Sequence, residues 1–231
     1  MGKSRKEADP VVAIDGPAGS GKSTVARLLA RDLGWTYLDT GAIYRTLGWL
    51  ARQEGISLED EDALVALCPR LEGLSFQWNA KGEVDVLLNG ENVTSHIRGE
   101  DAGRWASDVS RHPKVRQALL ALQRSFTRRG PLVVEGRDTG TVVFPKARWK
   151  VFLTASLEER ALRRLRQLKL EEEKGAMEKI KKTIKERDEQ DSKRPVAPLK
   201  KAPDALELDT THLSPAQVVE RIKKLMKEVN R

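Results

Sequence analysis

An α/β fold, built on a parallel β-sheet with helices on both faces, is the fold class this sequence predicts. Two observations carry the prediction. Short apolar runs alternate along the chain with stretches whose apolar residues recur at helical spacing. Three of those runs end on a carboxylate, Asp15, Asp39 and Glu135, and ligands of open parallel sheets sit beyond the carboxyl ends of the strands. A third observation qualifies the picture. Between about residues 70 and 100 apolar residues alternate with polar ones, which marks an antiparallel insert.

The elements follow in chain order. Residues 11–14 are an apolar run ending at Asp15. A glycine-rich loop comes next, and residues 24–31 show helical spacing that closes at Gly34. Residues 35–38 form a second strand ending at Asp39, and Ile43, Leu47 and Leu50 stripe a second helix that runs to Gly55. The texture changes after Cys68-Pro69. Residues 74–78 and 84–88 are strands joined by a turn at 79–82, and Asn89-Gly90 is a hairpin signal. Helical spacing resumes near Asp101 and again after Pro113, where Leu119, Leu122 and Phe126 share a face. Pro131 introduces a buried run at 132–134, ending on Glu135-Gly136, and residues 150–153 make a fourth strand. Ser156 and Glu159 are a capping-box pair. Residues 157–195 are the most charged part of the chain, with two helical stretches flanking residues 171–175 and Ile180 and Ile184 four apart on the second. Residues 206–208 are the last strand. Ser214-Pro215 then opens a helix with Ser at N-cap and Pro at N1, its apolar face formed by Val218, Ile222, Leu225 and Val229.

Composition narrows the function classes. A length of 231 residues, 39% hydrophobic and 33% charged, describes one soluble globular domain that carries a small insert. The single cysteine, Cys68, excludes an internal disulfide framework, and three scattered histidines lack metal-ligand spacing. Residues 1–9 are polar, so neither a signal peptide nor, with Lys6 at the sixth position, a myristoylation motif is expected there. With no transmembrane run, a cytoplasmic protein without a membrane partner is expected. The net charge of +8 suits an anionic ligand, nucleotide or nucleic acid.

The glycine-rich loop supplies the first chemistry. Gly16-Pro17-Ala18-Gly19-Ser20-Gly21-Lys22-Ser23 fits the phosphate-loop pattern in full, between a predicted strand and a predicted helix. Its glycines let backbone N–H groups turn toward phosphate oxygens, and the helix that follows presents its positive end. Residues Gly16 through Thr24 are therefore the expected ATP-binding segment, with Lys22 reaching the β- and γ-phosphates and Ser23 offering its hydroxyl to Mg²⁺. The expected fold is then a phosphate-loop three-layer sandwich with a five-stranded parallel sheet. Glu135 has two readings: an acid that meets Mg²⁺ through water, or an ordinary strand-end carboxylate.

Three further segments bear on the acceptor. Residues 39–45 and 136–145 each follow a predicted strand and carry an arginine, Arg45 and Arg137. These guanidinium groups either converge on a phosphate or pair with Asp39 and Asp138. In residues 186–194, Arg187, Asp191 and Arg194 share a helical face by spacing. Together, the phosphate loop, Asp39-Thr40-Gly41-Ala42-Ile43-Tyr44-Arg45, Gly136-Arg137-Asp138-Thr139-Gly140-Thr141-Val142-Val143-Phe144-Pro145 and the run from Glu186 to Leu199 resemble the bacterial cytidylate kinases over nearly the whole chain.

That resemblance implies a monomeric enzyme that moves the γ-phosphoryl group of ATP, with Mg²⁺, to CMP or dCMP. It implies that Thr40, Arg45 and Arg137 hold the acceptor phosphate and that Ser107, Arg116 and Asp138 read the cytosine. Arg187 and Asp191 lie near the pentose, and Arg187 and Arg194 near the group in transfer. Lys22, Arg187 and Arg194 are then the catalytic set. The resemblance further implies a kinase core at 10–69 and 101–231, a nucleoside monophosphate-binding insert at 70–100 and a helical lid at about 157–195. On the lid, Arg160, Arg163 and Arg164 either close over ATP or form a solvated face. Two rival functions stand beside it: a small kinase for another nucleotide or a metabolite such as shikimate, and a nucleic-acid-binding regulator. Against the last, only 5% of residues are aromatic and no basic–aromatic interleaving occurs.

Overall fold

The computed structural model describes residues 10–228. Residues 1–9 and Val229 lie outside the described residues. The strands are β1 (Val11–Asp15), β2 (Thr36–Asp39), β3 (Leu74–Trp78), β4 (Val84–Leu88), β5 (Glu91–Asn92), β6 (Leu132–Gly136), β7 (Trp149–Thr154) and β8 (Leu206–Asp209). The α-helices are α1 (Lys22–Leu33), α2 (Thr40–Gln53), α3 (Glu61–Leu67), α4 (Glu100–Ser110), α5 (Pro113–Ser125), α6 (Leu157–Leu168), α7 (Ala176–Lys193) and α8 (Pro215–Glu228). A five-stranded sheet runs in the order β2-β6-β1-β7-β8, and every pairing in it is parallel. A second, antiparallel sheet of three strands, β3-β4-β5, is formed by the insert.

The strand period explains the three layers. Val12 and Ile14 of β1 face the layer of α1 and α8, where Leu29, Val218 and Ile222 meet them. Val11 and Ala13 face the opposite layer, packing with Ile43 and Leu47 of α2 and Leu119 of α5. Successive side chains of a strand point to opposite faces, so a central strand must be apolar throughout. The insert shares this second core: Leu74, Val86 and Leu88 belong to the same buried cluster as α2 and α5. Asn89 and Gly90 both take positive φ, 52° and 87°, at the β4–β5 hairpin, the conformation that a two-residue turn of this kind requires. Helices α6 and α7 have a small core of their own, Ala161, Leu165, Ala176, Ile180 and Ile184.

Several local expectations are corrected. Helix α3 lay unread in the sequence, although Asp60 caps it by accepting from Ala63 N–H at 3.0 Å. The capping box at α6 is half formed. Ser156 Oγ accepts from Glu159 N–H, but the Glu159 carboxylate turns to Arg163. A full box forms instead at α8, between Ser214 and Gln217. Arg194 does not share a helical face with Arg187 and Asp191. Helix α7 ends at Lys193, and Arg194 is extended, with ψ 134°, because Pro195 follows it. Among the described residues no helix is long and apolar enough to cross a membrane.

Candidate active site

The carboxyl ends of β1, β2 and β6 open into one cleft of about 1500 Å³, roofed by α4, α6 and α7. Such a volume exceeds the few hundred to one thousand Å³ that serve a single small ligand, so it has room for two. The phosphate loop lines one half. Gly16 turns the chain out of β1 at φ 150°, where a Cβ would be driven into the carbonyl of Leu153. Gly16 and Pro17 thus form the back of the loop, while Ala18 through Thr24 face the cleft. Lys22 is buried, and its Nζ donates to Pro17 O at 2.6 Å. Burial, followed by the nearby Arg137, lowers Lys22 to about 7, against the opposing pull of Glu135.

Ser23, the second residue of α1, donates its hydroxyl to Glu135 Oε1 at 2.5 Å, a bond that Tyr37 OH joins at 3.3 Å. Burial and the adjacent Asp39 push the Glu135 carboxyl above the usual carboxylate range. The Ser23 contact ties the strand-end carboxylate of Glu135 to the phosphate-loop serine. Among the described residues no cluster of three His, Cys, Asp or Glu surrounds it. A hydroxyl and one carboxylate are hard oxygen donors, and they suit Mg²⁺, which takes most of its remaining ligands from water and phosphate.

The other half of the cleft is arginine-rich. Asp39 N-caps α2 by accepting from Ala42 N–H, and its second oxygen holds Arg45 at 2.6 Å. Arg137 does not pair with Asp138. Its Nε donates to Asp191 on α7 at 2.8 Å. Asp138 instead holds Arg116 of α5, and that pair is buried. Arg194 lies 3.9 Å from Asp191 and donates to Ala197 O at 2.7 Å. Burial and then Arg137 lower Arg187 to about 10. Gly103 leaves space for this side chain, since a Cβ there would sit 3.0 Å from Arg187 Nη1. The Nε groups of Arg45, Arg187 and Arg194 are buried with no hydrogen-bond partner among the described residues. Buried donors of this kind demand acceptors, and a multiply charged anion supplies them.

Thr40 and Ser107 also line the cleft. The Thr40 hydroxyl donates to Glu135 O at 2.9 Å, which commits its proton to the β6 backbone. Ser107 is buried on α4, and one turn later Ser110 accepts from Arg116 and Arg194, through its carbonyl and its hydroxyl respectively. Ser110 was not singled out in the sequence, and only its spacing from Ser107 signals it. On α6, Arg160 and Arg163 do not form a solvated face. Arg160 pairs with Asp188 of α7 and donates to Ala18 O at 3.1 Å, while Asp188 accepts from Ala18 N–H at 3.3 Å. Arg163 bonds Thr210 at the end of β8. Arg164 bonds Gln167 on its own helix.

The sequence model of the family described as cytidylate kinase matches residues 12–228. A cytidylate kinase of Pseudomonas savastanoi pv. phaseolicola is 52% identical over 214 residues, 92% of this chain and 93% of that protein. One from Colwellia psychrerythraea is 49% identical over 220 residues, 94% and 96% of the two chains. Among solved structures, an uncharacterized protein from Eubacterium ventriosum is similar in fold, with a TM-score of 0.52 at 9% identity, covering 94% of this chain and 98% of its own.

Proposed function

This chain belongs to the cytidylate kinase family, and from that premise we propose that it transfers the γ-phosphoryl group of ATP to CMP and dCMP, giving ADP and CDP or dCDP. It is a nucleoside monophosphate kinase. The observation that carries the two-nucleotide reading is the arginine half of the cleft, where Arg45, Arg187 and Arg194 keep unpartnered buried Nε groups opposite the phosphate loop. In this reading Arg45 and Arg137 hold the acceptor phosphate, with Thr40 buttressing β6 beneath it. Asp138, Arg116 and Ser107 meet the cytosine, and Asp191 with Arg187 meets the pentose. Lys22, Arg187 and Arg194 neutralise charge on the group in transfer. Arg116 occupies Asp138 Oδ2, which leaves Oδ1 to accept from the cytosine amino group.

The reaction asks little of acid–base chemistry. An oxygen of the acceptor phosphate attacks the γ-phosphorus, the bond to the β-phosphate oxygen breaks, and the developing charge spreads over the equatorial oxygens. Guanidinium groups fixed by Asp39 and Asp191 meet that charge without reorganising. Ser23, and Glu135 through water, would hold Mg²⁺, which when bound neutralises β- and γ-phosphate charge. One chain supplies both halves of the cleft, which supports action as a monomer. We place the enzyme in pyrimidine nucleotide metabolism in the cytoplasm, with nucleotides rather than nucleic acid or membrane as partners.

The test is ADP release with CMP, dCMP, UMP, AMP and shikimate as acceptors, with and without a Mg²⁺ chelator. CMP and dCMP are expected to lead, and chelation to abolish transfer. A better rate with another acceptor would assign the enzyme elsewhere. A second expectation follows from Lys22, whose position near 7 belongs to the nucleotide-free cleft. A bound triphosphate favours the ammonium form, so ATP binding at about pH 8 should take up a proton, and at about pH 6 almost none. Titration calorimetry in buffers of different ionisation enthalpy reads this directly. Equal proton uptake at both pH values would contradict it.

A further inference from the structure

Asp15 closes β1 immediately before Gly16 and is buried behind the cleft rather than in its wall. Its carboxylate is bound entirely by one neighbouring segment. Oδ1 accepts from Thr139 N–H and from Thr139 Oγ1, each at 2.8 Å, and Oδ2 accepts from Gly140 N–H at 2.7 Å. Thr139 and Gly140 directly follow Arg137 and Asp138, and they begin a single π-helical turn, Thr139–Val143. The first N–H groups of any helical turn lack partners within it. Here a carboxylate from the adjacent strand supplies them, reaching across the β1–β6 pair in which Asp15 lies opposite Gly136.

We propose that Asp15 is a positioning residue that locks the acceptor-reading loop in register with the phosphate loop. The inference rests on the acceptor roles given above to Arg137 and Asp138. One residue is covalently joined to Gly16 and hydrogen-bonded to the residues after Asp138, so the donor and acceptor halves share a rigid link. A slide of the loop by one residue would strand a buried carboxylate, and each charge-assisted bond resists that slide. Gly140 makes the fit close: a Cβ there would press on Asp15 Oδ2 at 3.4 Å and on the Lys150 stem at 3.3 Å. Asparagine cannot replace Asp15. Its amide group would set N–H against the N–H of Thr139 or Gly140.

Two variants test the lock, with folding verified by circular dichroism and rates taken below each melting temperature. Asp15→Asn is expected to lower kcat with CMP at least about tenfold and to narrow the CMP-over-UMP preference, leaving KM for ATP within about twofold. Thr139→Val removes one of the three bonds and keeps the volume, so it should move both readouts in the same direction by less. If Asp15→Asn does not fold, Thr139→Val decides. Wild-type kcat and wild-type CMP-over-UMP preference in the folded variants would overturn the proposal, as would a change confined to KM for ATP. Asp138→Ala in the same assay separates the two levels. If it leaves the preference unchanged, the acceptor-site reading fails. If it narrows the preference while Asp15→Asn and Thr139→Val do not, only the lock fails.

Discussion

Lys22→Ala is expected to cut phosphoryl transfer by about a hundredfold to a thousandfold, the loss seen when one preorganised donor to a developing anion is removed. The ammonium group is buried at the mouth of the phosphate loop, bonded to Pro17 O and within 3.4 Å of Ser20 Oγ. Two guanidinium groups also reach the loop, Arg160 at Ala18 O and Arg163 beside Gly21, but each is held by a carboxylate partner of its own, Asp188 and Glu159. Stability should respond in the opposite sense. Lys22 in the folded chain lies well below its ordinary value of 10.5. The folded state therefore binds this proton less tightly than the unfolded state, and the charged form weakens folding at every pH below that ordinary value. Removing it should leave the melting temperature at about pH 7 equal or higher. Steady-state rates with CMP and a thermal melt check both halves. Turnover within tenfold of the parent would remove Lys22 from catalysis, and a large fall in melting temperature would refute the electrostatic argument.

Asp138→Ala is expected to reduce the CMP-over-UMP preference in kcat/KM by at least about a hundredfold. A carboxylate accepts from the cytosine amino group and faces the uracil carbonyl with like polarity, so its loss penalises CMP and relieves UMP. The same change leaves Arg116 buried without its ion-pair partner, which costs about 3 kcal/mol of stability when nothing else compensates. Asp138→Asn separates the two effects. Its amide keeps the shape, accepts through oxygen or donates through nitrogen, and should bring UMP close to CMP with a smaller thermal shift. Measuring both acceptors for both variants reads the result, and an unchanged ratio in Asp138→Ala would take the residue out of base reading.

The sequence was legible where a local rule decides the outcome. Continuous apolar runs marked β1, β6 and β7, because strands buried on both faces leave no polar position. The phosphate loop was legible because glycines, lysine and serine at set spacing serve one backbone geometry. Partner choice was not legible. Whether Arg137 pairs with Asp138 or with Asp191 depends on where α7 lies over β6, a long-range packing outcome that no window of sequence contains. Ser110, Asp188 and the role of Asp15 were missed for the same reason: each acts on a segment far away in the chain. Arg194 was misplaced by one residue of helix, since the spacing rule was carried past a residue that Pro195 forces out of it. Helix α3 was missed because seven residues give too short a window for periodicity, although the Asp60 cap and the acidic first turn were there to see.

The strand order has a consequence for how the molecule is made. β1 occupies the centre of the sheet, yet it pairs only with β6 and β7, Val12 lying against Val133 on one side and Trp149 on the other. β1 and β2, neighbours in sequence, do not touch as strands; β6 slots between them. No part of the parallel sheet can therefore assemble until the ribosome has released the chain beyond Gly136. Until then the apolar runs of β1 and β2 wait without partners, while the β3–β4 hairpin can close on its own local register. Long-range parallel pairing of this sort makes folding slow and leaves strand edges open to association. The phosphate loop follows β1 directly, so the strand that carries it has no sheet partner until residues more than a hundred positions later are available.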